Sequence, residues 1–471
     1  MTAHGHQDSI CERIVFAGLL ALLVFAPLPF GSDRPWAWSL SATFVGVLLV
    51  VWGAFASGSR DRQPMSIRPL LPAFALFLLV VAWAALQTSP IVSASWRHEL
   101  WAEAELILGT ELAAPLSLDP HQTWTSVMRL LCYGGIFLLS FQLCLSTNRS
   151  EKLVRILIVV TLAYAGYGLI VESAGLKSAL WYTKEDQGGN LSSTFLYRNA
   201  FATYAALGLL CALAMLFRPA MRRGDLDAGW RFATRAMGDY FFARRWIVIL
   251  ACSILFVTIL MTRSRAGLGV TLIGACVFLA IMAWTRRRKR FVFVSIAVIG
   301  IASAAMFAAK GGGTIDRMSL ASSAANERAE VYGRTIEAIF QSPFAGHGYG
   351  TFANVFGMHR GEQLRSPFLR AHNTYLENAL ELGIPATAAL VLSIGWIVLI
   401  CASAVLRHRR RAFLPCLGVA ATVMVGFHAI VDYSLQIPAV AMAYAAILGA
   451  ACAQSFRLEL SDRPATERRA I

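Results

Sequence analysis

The strongest constraint on how this chain can fold is its supply of apolar runs long enough to cross a bilayer. A helix needs roughly 20 such residues to span the hydrocarbon core. Runs of about that length lie at 14–30, 36–55, 70–86, 127–145, 153–171 and 201–217 in the first half. The second half adds 246–262, 266–284, 291–309, 384–405, 413–431 and 437–455. With 57% hydrophobic and 15% charged residues and a mean hydropathy of +0.58, the 471 residues carry too much apolar surface for a soluble protein. The expected fold is an all-α polytopic membrane protein, about 12 transmembrane helices with a small helical cap outside. The first run lacks a signal-peptide cleavage pattern and is followed at once by the second, so it reads as a retained helix.

Orientation follows from the Lys/Arg bias of the short loops. Arg60, Arg62, Arg68, Arg149, Lys152, the 218–245 loop, Arg286 to Arg290, Arg407 to Arg411 and the C-terminal tail all fall on one side. That side is the cytoplasm, so both termini are expected there. The short outer connections carry little charge apart from Arg263 and Arg265. Basic inner loops facing anionic lipid account for most of the +15 net charge, so no nucleic-acid partner is needed. Eight of the nine cysteines fall inside the runs, without metal-ligand spacing or a paired pattern in outer loops. They read as small apolar packing residues, and neither disulfides nor a structural metal is expected.

Three outer loops are long enough to build something: 87–125, 172–199 and 310–371. The first contains an acidic, amphipathic stretch at 98–108 that suits a helix lying on the membrane surface. In the third, the apolar positions of 326–340 have helical spacing, and Ser342 and Pro343 stop that helix. A Gly346-His347-Gly348-Tyr349-Gly350 turn follows, and the chain looks helical again from His372 to Gly383.

The outer side concentrates the residues that can carry chemistry. Arg263 and Arg265 sit in a short hairpin, Arg198 begins the sixth span, Arg328 lies on the loop helix and Arg370 precedes His372. Guanidinium groups present a fixed fork of donors that matches phosphate, so arginines converging at headgroup depth suit a lipid-linked phosphate or diphosphate. The plain alternative is that each snorkels to lipid headgroups. His372, near-neutral at physiological pH, can accept a proton from an attacking hydroxyl, with Asn373, Tyr375 and Glu377 beside it. His428 and Asp432, four apart at the outer end of a span, share a helical face, where they could serve a substrate or satisfy each other. The glycine turn could aim N–H groups at a phosphate or be only a turn, and Glu377 with Glu381 could be an acid pair or a solvated face. No metalloprotease, Walker or serine-nucleophile motif occurs, which disfavours metal, nucleotide and serine chemistry.

At these residues the chain resembles the bacterial O-antigen ligase and O-antigen polymerase family of integral membrane glycosyltransferases. The matching segments are STFLYRNAFA at 193–202, TRSRAG at 262–267, the helix and glycine turn of 327–352, and HNTYLENALELG at 372–383. Asp432 to Leu435 also looks similar, while Ala386 departs from the small or hydroxylated residue usual three beyond Gly383. The resemblance implies a division into 1–192, the first five helices with loop 87–125; 193–456, a ligase-related core with loop 310–383; and 457–471, a basic tail. It further implies metal-independent and cofactor-independent transfer in the periplasm of an inner-membrane protein. The donor would be an undecaprenyl-diphosphate-linked glycan and the acceptor another glycan or lipid A–core. Arg198, Arg263, Arg265, Arg328 and Arg370 would hold the diphosphate, and His372 would activate the acceptor. Asn199, Asn373, Tyr375, Glu377, His428 and Asp432 would position substrate. A ligase and a polymerase both fit this pattern. The rival of another class is a transporter of lipid-linked saccharide, which the one-sided placement of polar residues argues against.

Overall fold

The computed structural model describes residues 10–58, 68–91, 96–176, 178–183, 190–223, 245–285, 314–359, 368–409 and 411–462. The expected span at 291–309 lies outside these residues, as do Arg60, Arg62, most of the 218–245 loop, the Arg286 to Arg290 cluster, Arg410, residues 310–313 and 360–367 of the third outer loop and the tail from 463. The helices in chain order are α1 (Ile10–Phe25), α2 (Pro35–Gly58), α3 (Leu71–Leu86), α4 (Glu99–Leu108), α5 (Pro120–Leu143), α6 (Thr147–Ser173), α7 (Arg198–Arg223) and α8 (Arg245–Met261). They continue as α9 (Arg265–Thr285), α10 (Thr314–Gln341), α11 (Phe352–His359), α12 (Thr374–Leu382), α13 (Ile384–His408), α14 (Phe413–Val431) and α15 (Pro438–Asp462). Between α6 and α7, β1 (Ser178–Ala179) and β2 (Tyr182–Thr183) form a minimal antiparallel hairpin.

Among the described residues nine helices are long and apolar enough to cross a membrane; α8 is apolar but shorter, as is the 16-residue α1. The fold is that of an all-α polytopic membrane protein. The first expected run overshoots at its C-terminal end: α1 stops at Phe25 because Pro27 and Pro29 cannot donate to a continuing helix. The axis of the bundle is α15, whose apolar window is wholly buried and which packs on α5, α13 and α14. Small residues allow that closeness. A Cβ added at Gly418 would sit 2.6 Å from the Ala451 side chain, and one at Gly449 would sit 2.8 Å from Ser140. By contrast α2 and α3 turn Val47, Val50, Leu78 and Leu79 outward, as lipid-facing helices do.

A cap closes one end of the bundle. It is built from α10, α11 and α12 around Val331, Ile339, Phe352, Phe356, Ala371 and Leu380. The first cap helix begins at Thr314, well before the stretch expected at 326–340, and ends at Gln341, just ahead of Ser342 and Pro343. The glycine turn lashes the cap to the bundle. His347 N and Gly348 N donate to Leu380 O and Glu381 O at 3.0 Å, and Tyr349 N donates to Gln87 Oε1 at 3.0 Å. Gln87, fully buried, donates in return to Ala345 O at 2.8 Å and Glu381 O at 2.9 Å.

Candidate functional site

Cap and bundle meet at His372. Ala371 is fully buried and Asn373 caps α12, so His372 is pinned between them at φ +54°, a left-handed conformation that side-chain-bearing residues hold only where neighbours enforce it. The neighbours are identifiable. Tyr332 Oη donates to the His372 carbonyl at 2.9 Å, and the Tyr433 ring stands edge-on to the imidazole with centroids 4.9 Å apart. His372 Nδ1 is buried with no hydrogen-bond partner among the described residues. Burial pushes the imidazole below its usual pKa; Asp432 opposes that shift, and Arg328 adds to it. A ring that stays neutral at physiological pH with a free nitrogen can accept a proton.

Asn373 is not on the helix face expected of it. Its Oδ1 accepts from Tyr375 N at 3.0 Å and Leu376 N at 3.1 Å, which makes it the N-cap of α12. Tyr375 spends its hydroxyl on Gly426 O at 3.0 Å, tying α12 to α14. His428 and Asp432 do not satisfy each other. Asp432 has left the helix as the C-cap of α14, in extended backbone, so the four-residue spacing no longer places both side chains on one face. His428 Nδ1 pairs with Thr203 Oγ1 at 2.6 Å, leaving its buried Nε2 without a partner among the described residues. Asp432 accepts from Asn199 Nδ2, and its backbone carbonyl accepts from Thr374 Oγ1 at 3.1 Å. The start of α7, the end of α14 and the His372 turn are thereby one connected network.

The expected arginines divide into two groups. Arg198, Arg263 and Arg265 lie on the rim where α7, α8 and α9 reach the cap end. Gly267 packs so closely on Ala202 that an added Cβ would come within 2.6 Å of the Ala202 methyl, which brings the first turns of α7 and α9 together. Arg263, at φ +52°, and Arg265 are both exposed, and Ser264 Oγ caps α9 by accepting from Gly267 N at 3.0 Å. Arg328, exposed on α10, acts on His372 through its field. Arg370 points inward. Its Nη1 is 3.2 Å from Glu377 Oε1, while Ala371 N donates to Glu377 Oε2 at 3.0 Å. Glu377 is thus a buried partner for Arg370, not a member of a solvated face.

Glu381 is buried without an ion pair among the described residues, accepting from Phe352 N at 3.0 Å. Burial, with the neighbouring Glu377, raises its carboxyl to about 8, against the backbone N–H groups of Gly350 and Phe352 and the charge of Arg370. The glycine turn is a structural turn. Its N–H groups are consumed by Ser342 O, Leu380 O, Glu381 and Gln87, which leaves none to cradle a phosphate. At Gly348 (φ +111°) an added Cβ would collide with Ser117.

Several residues that matter here were not expected from the sequence. A cavity of about 580 Å³ opens between α3, α5, α13, α14 and α15, with apolar walls and a cap-side end formed by Arg129, Arg370, Tyr349 and Glu381. Arg129 lies one helical turn before Tyr133 on α5. Its signal was there to find, an ionisable residue inside an apolar run, which is functional by default. Asp33, in the turn between α1 and α2, lies in the field of Arg370, Arg129 and Arg34. Burial nonetheless raises its carboxyl to about 6, against all three. Tyr433, flanked by His372 and Tyr197, belongs to the Asp432 to Leu435 segment marked in the sequence, where it was given no role of its own.

A multi-pass helical bundle with a capped end, an apolar cavity and arginine and histidine side chains at the cap is the setting for chemistry on a membrane-borne substrate. Residues 250–391 match the O-antigen ligase family model, which supports an O-antigen ligase-family membrane protein. The match runs from α8 into α13 and includes Arg263, Arg265, Arg328, Arg370, His372, Asn373, Tyr375 and Glu377; Arg198, Asn199, His428 and Asp432 lie outside it. No curated protein matches the chain. The family supports an O-antigen ligase- or polymerase-type function in general, a glycosyltransferase-like enzyme with lipid-linked glycan substrates.

Proposed function

We propose that this protein transfers a glycan from undecaprenyl diphosphate to an acceptor hydroxyl at the periplasmic face of the bacterial inner membrane, with lipid A–core or another surface glycan as acceptor. The observation that carries the reading is the His372 turn: a partly buried, neutral imidazole with an unpartnered nitrogen, fixed by Tyr332 and Tyr433. Arg370, two residues before it, lines an apolar cavity. In this mechanism His372 takes the proton of the acceptor hydroxyl as that oxygen attacks the anomeric carbon. The bond from that carbon to the diphosphate oxygen breaks, and the departing charge is met by guanidinium groups already in place, which cost no reorganisation at the moment of reaction. Asn199, Asp432 and His428 position the network around the acceptor, and no metal or cofactor takes part.

The test is complementation of a deletion strain, with surface glycan resolved on a gel, for wild type, His372→Ala and Arg265→Ala. Loss of polymer on lipid A–core with lipid-linked polymer accumulating identifies a ligase. Collapse of the ladder to a single repeat identifies a polymerase. Wild-type behaviour of both variants, where total glycan still depends on the protein, rejects the site and favours a transporter.

A further inference from the structure

We infer that Arg129, with Arg370 and the Tyr133 hydroxyl, forms an anion seat inside the bundle that holds a phosphate group of a long-chain lipid, whose hydrocarbon occupies the apolar part of the cavity. The inference rests on the proposed lipid-linked donor and places its headgroup deeper than the rim arginines would.

Four observations converge on it. The Arg129 residue is 8% exposed on α5, a helix long and apolar enough to cross the membrane, and among the described residues no carboxylate lies within ion-pairing distance of it. A charge in that position is costly unless something meets it. One of its donors reaches Ser126 Oγ at 3.0 Å, and the guanidinium lies 5.0 Å from the Trp38 ring centroid. Those contacts fix its direction without neutralising it, and its other donors have no protein partner among the described residues. Second, Tyr133 follows at i+4, hence on the same helix face, and its buried hydroxyl has no hydrogen-bond partner among those residues either. Third, Arg370 comes to the same cavity from the His372 turn, so two guanidiniums share its cap-side end. Fourth, away from that end the lining is mostly hydrocarbon or aromatic, supplied by residues such as Leu70, Phe74, Phe77, Leu390 and Leu448, with Ser393, Thr422 and Gln436 among the few polar side chains. A free phosphate would gain nothing from those walls, and a neutral lipid would leave the guanidinium unmet. A phosphate carrying a long hydrocarbon chain satisfies both ends.

The experiment is binding of decaprenyl phosphate by the full-length protein in lipid nanodiscs, with decaprenol as the uncharged control and glycan transfer measured in parallel. Decaprenyl phosphate is expected to bind well above decaprenol. Affinity should fall at least tenfold in Arg129→Gln, partly recover in Arg129→Lys and fall a few-fold in Tyr133→Phe, a change that removes one oxygen and keeps the packing. Should Arg129→Gln not fold, Tyr133→Phe and Arg129→Lys decide. Wild-type affinity in the variants that fold, or equal binding of decaprenol, overturns the seat. The two readings fail separately: transfer with an unchanged donor KM in Arg129→Gln rejects the seat and leaves the transferase standing. Arg129-dependent binding in a wild-type protein that transfers no glycan does the reverse.

Discussion

At the scale of single residues, His372 and Glu381 have opposite electrostatic settings, and each makes a prediction. His372 is held below its ordinary pKa by burial, with Asp432 and Arg328 pulling in opposite senses. As a base it loses activity when the pH falls through its own pKa. Asp432→Asn removes the group that favours the imidazolium, so the acid limb of the rate profile should move to lower pH. Arg328→Gln removes a disfavouring charge and should move that limb to higher pH. His372→Ala should cost about 10²- to 10⁴-fold in rate, the range for removing a positioned base. A merely structural histidine would not shift the limb with Arg328, so the profile separates the roles. Glu381 is the other case. Its folded value of about 8 lies above the ordinary carboxylate value of 4.5. Its contribution to stability is therefore full below about 4.5 and is lost as the pH rises through about 8. Thermal unfolding between pH 6 and 9 should show wild type weakening more than Glu381→Gln. The difference should be on the order of a few kcal/mol, since a tenfold change in a proton-binding constant is worth about 1.4 kcal/mol.

At the scale of elements, the join between cap and bundle depends on Gln87 at the end of α3. Its side chain makes three hydrogen bonds, to Ala345 O, Glu381 O and Tyr349 N, while fully buried. Gln87→Ala would orphan the Ala345 carbonyl and the Tyr349 amide, while Glu381 O keeps the bond from Gly348 N, and should cost on the order of 3 kcal/mol by thermal unfolding, with donor KM rising as the cap loosens. Gly348→Ala should be at least as damaging, because its φ of +111° disfavours a side chain and Ser117 occupies the space. Much of this level was legible in the chain. The spans followed from apolar length, the helix stop from Ser342 and Pro343, and the turn from its three glycines. The partners of that turn were not legible, because Gln87 and Ser117 lie more than two hundred residues earlier and only folding brings them to it. Asn373 was misplaced for a related reason. The same side chain suits a cap or a substrate contact, and the distinction lies in whether the helix starts at it or before it.

At the scale of the whole molecule, the candidate site is assembled from distant parts of the chain, which explains why periodicity found its walls and missed its far side. His372, Arg370 and Glu377 could be read together because they are neighbours in sequence. Arg129 and Asp33 reach the same place only through the packing of α5 against α15 and of the 26–34 turn against the segment before α7. That turn is held by three successive left-handed residues, Phe30, Gly31 and Ser32, and by Thr194 Oγ1 donating to Pro27 O at 2.7 Å. It brings one carboxylate, Asp33, into the field of Arg370, Arg129 and Arg34, with Tyr197 and Tyr433 alongside. A phosphate arriving at those arginines meets Asp33 as a like charge. The carboxyl, raised to about 6 from 3.8, becomes neutral as the pH drops through that value. Wild-type affinity for decaprenyl phosphate should therefore strengthen from pH 7.5 to 5.5. Asp33→Asn should bind several-fold more tightly at pH 7.5 and lose the part of the pH dependence that exceeds titration of the phosphate itself. If Asp33→Asn instead binds more weakly at every pH, the carboxylate is holding the arginines in position, and like-charge repulsion is not its dominant effect on the ligand.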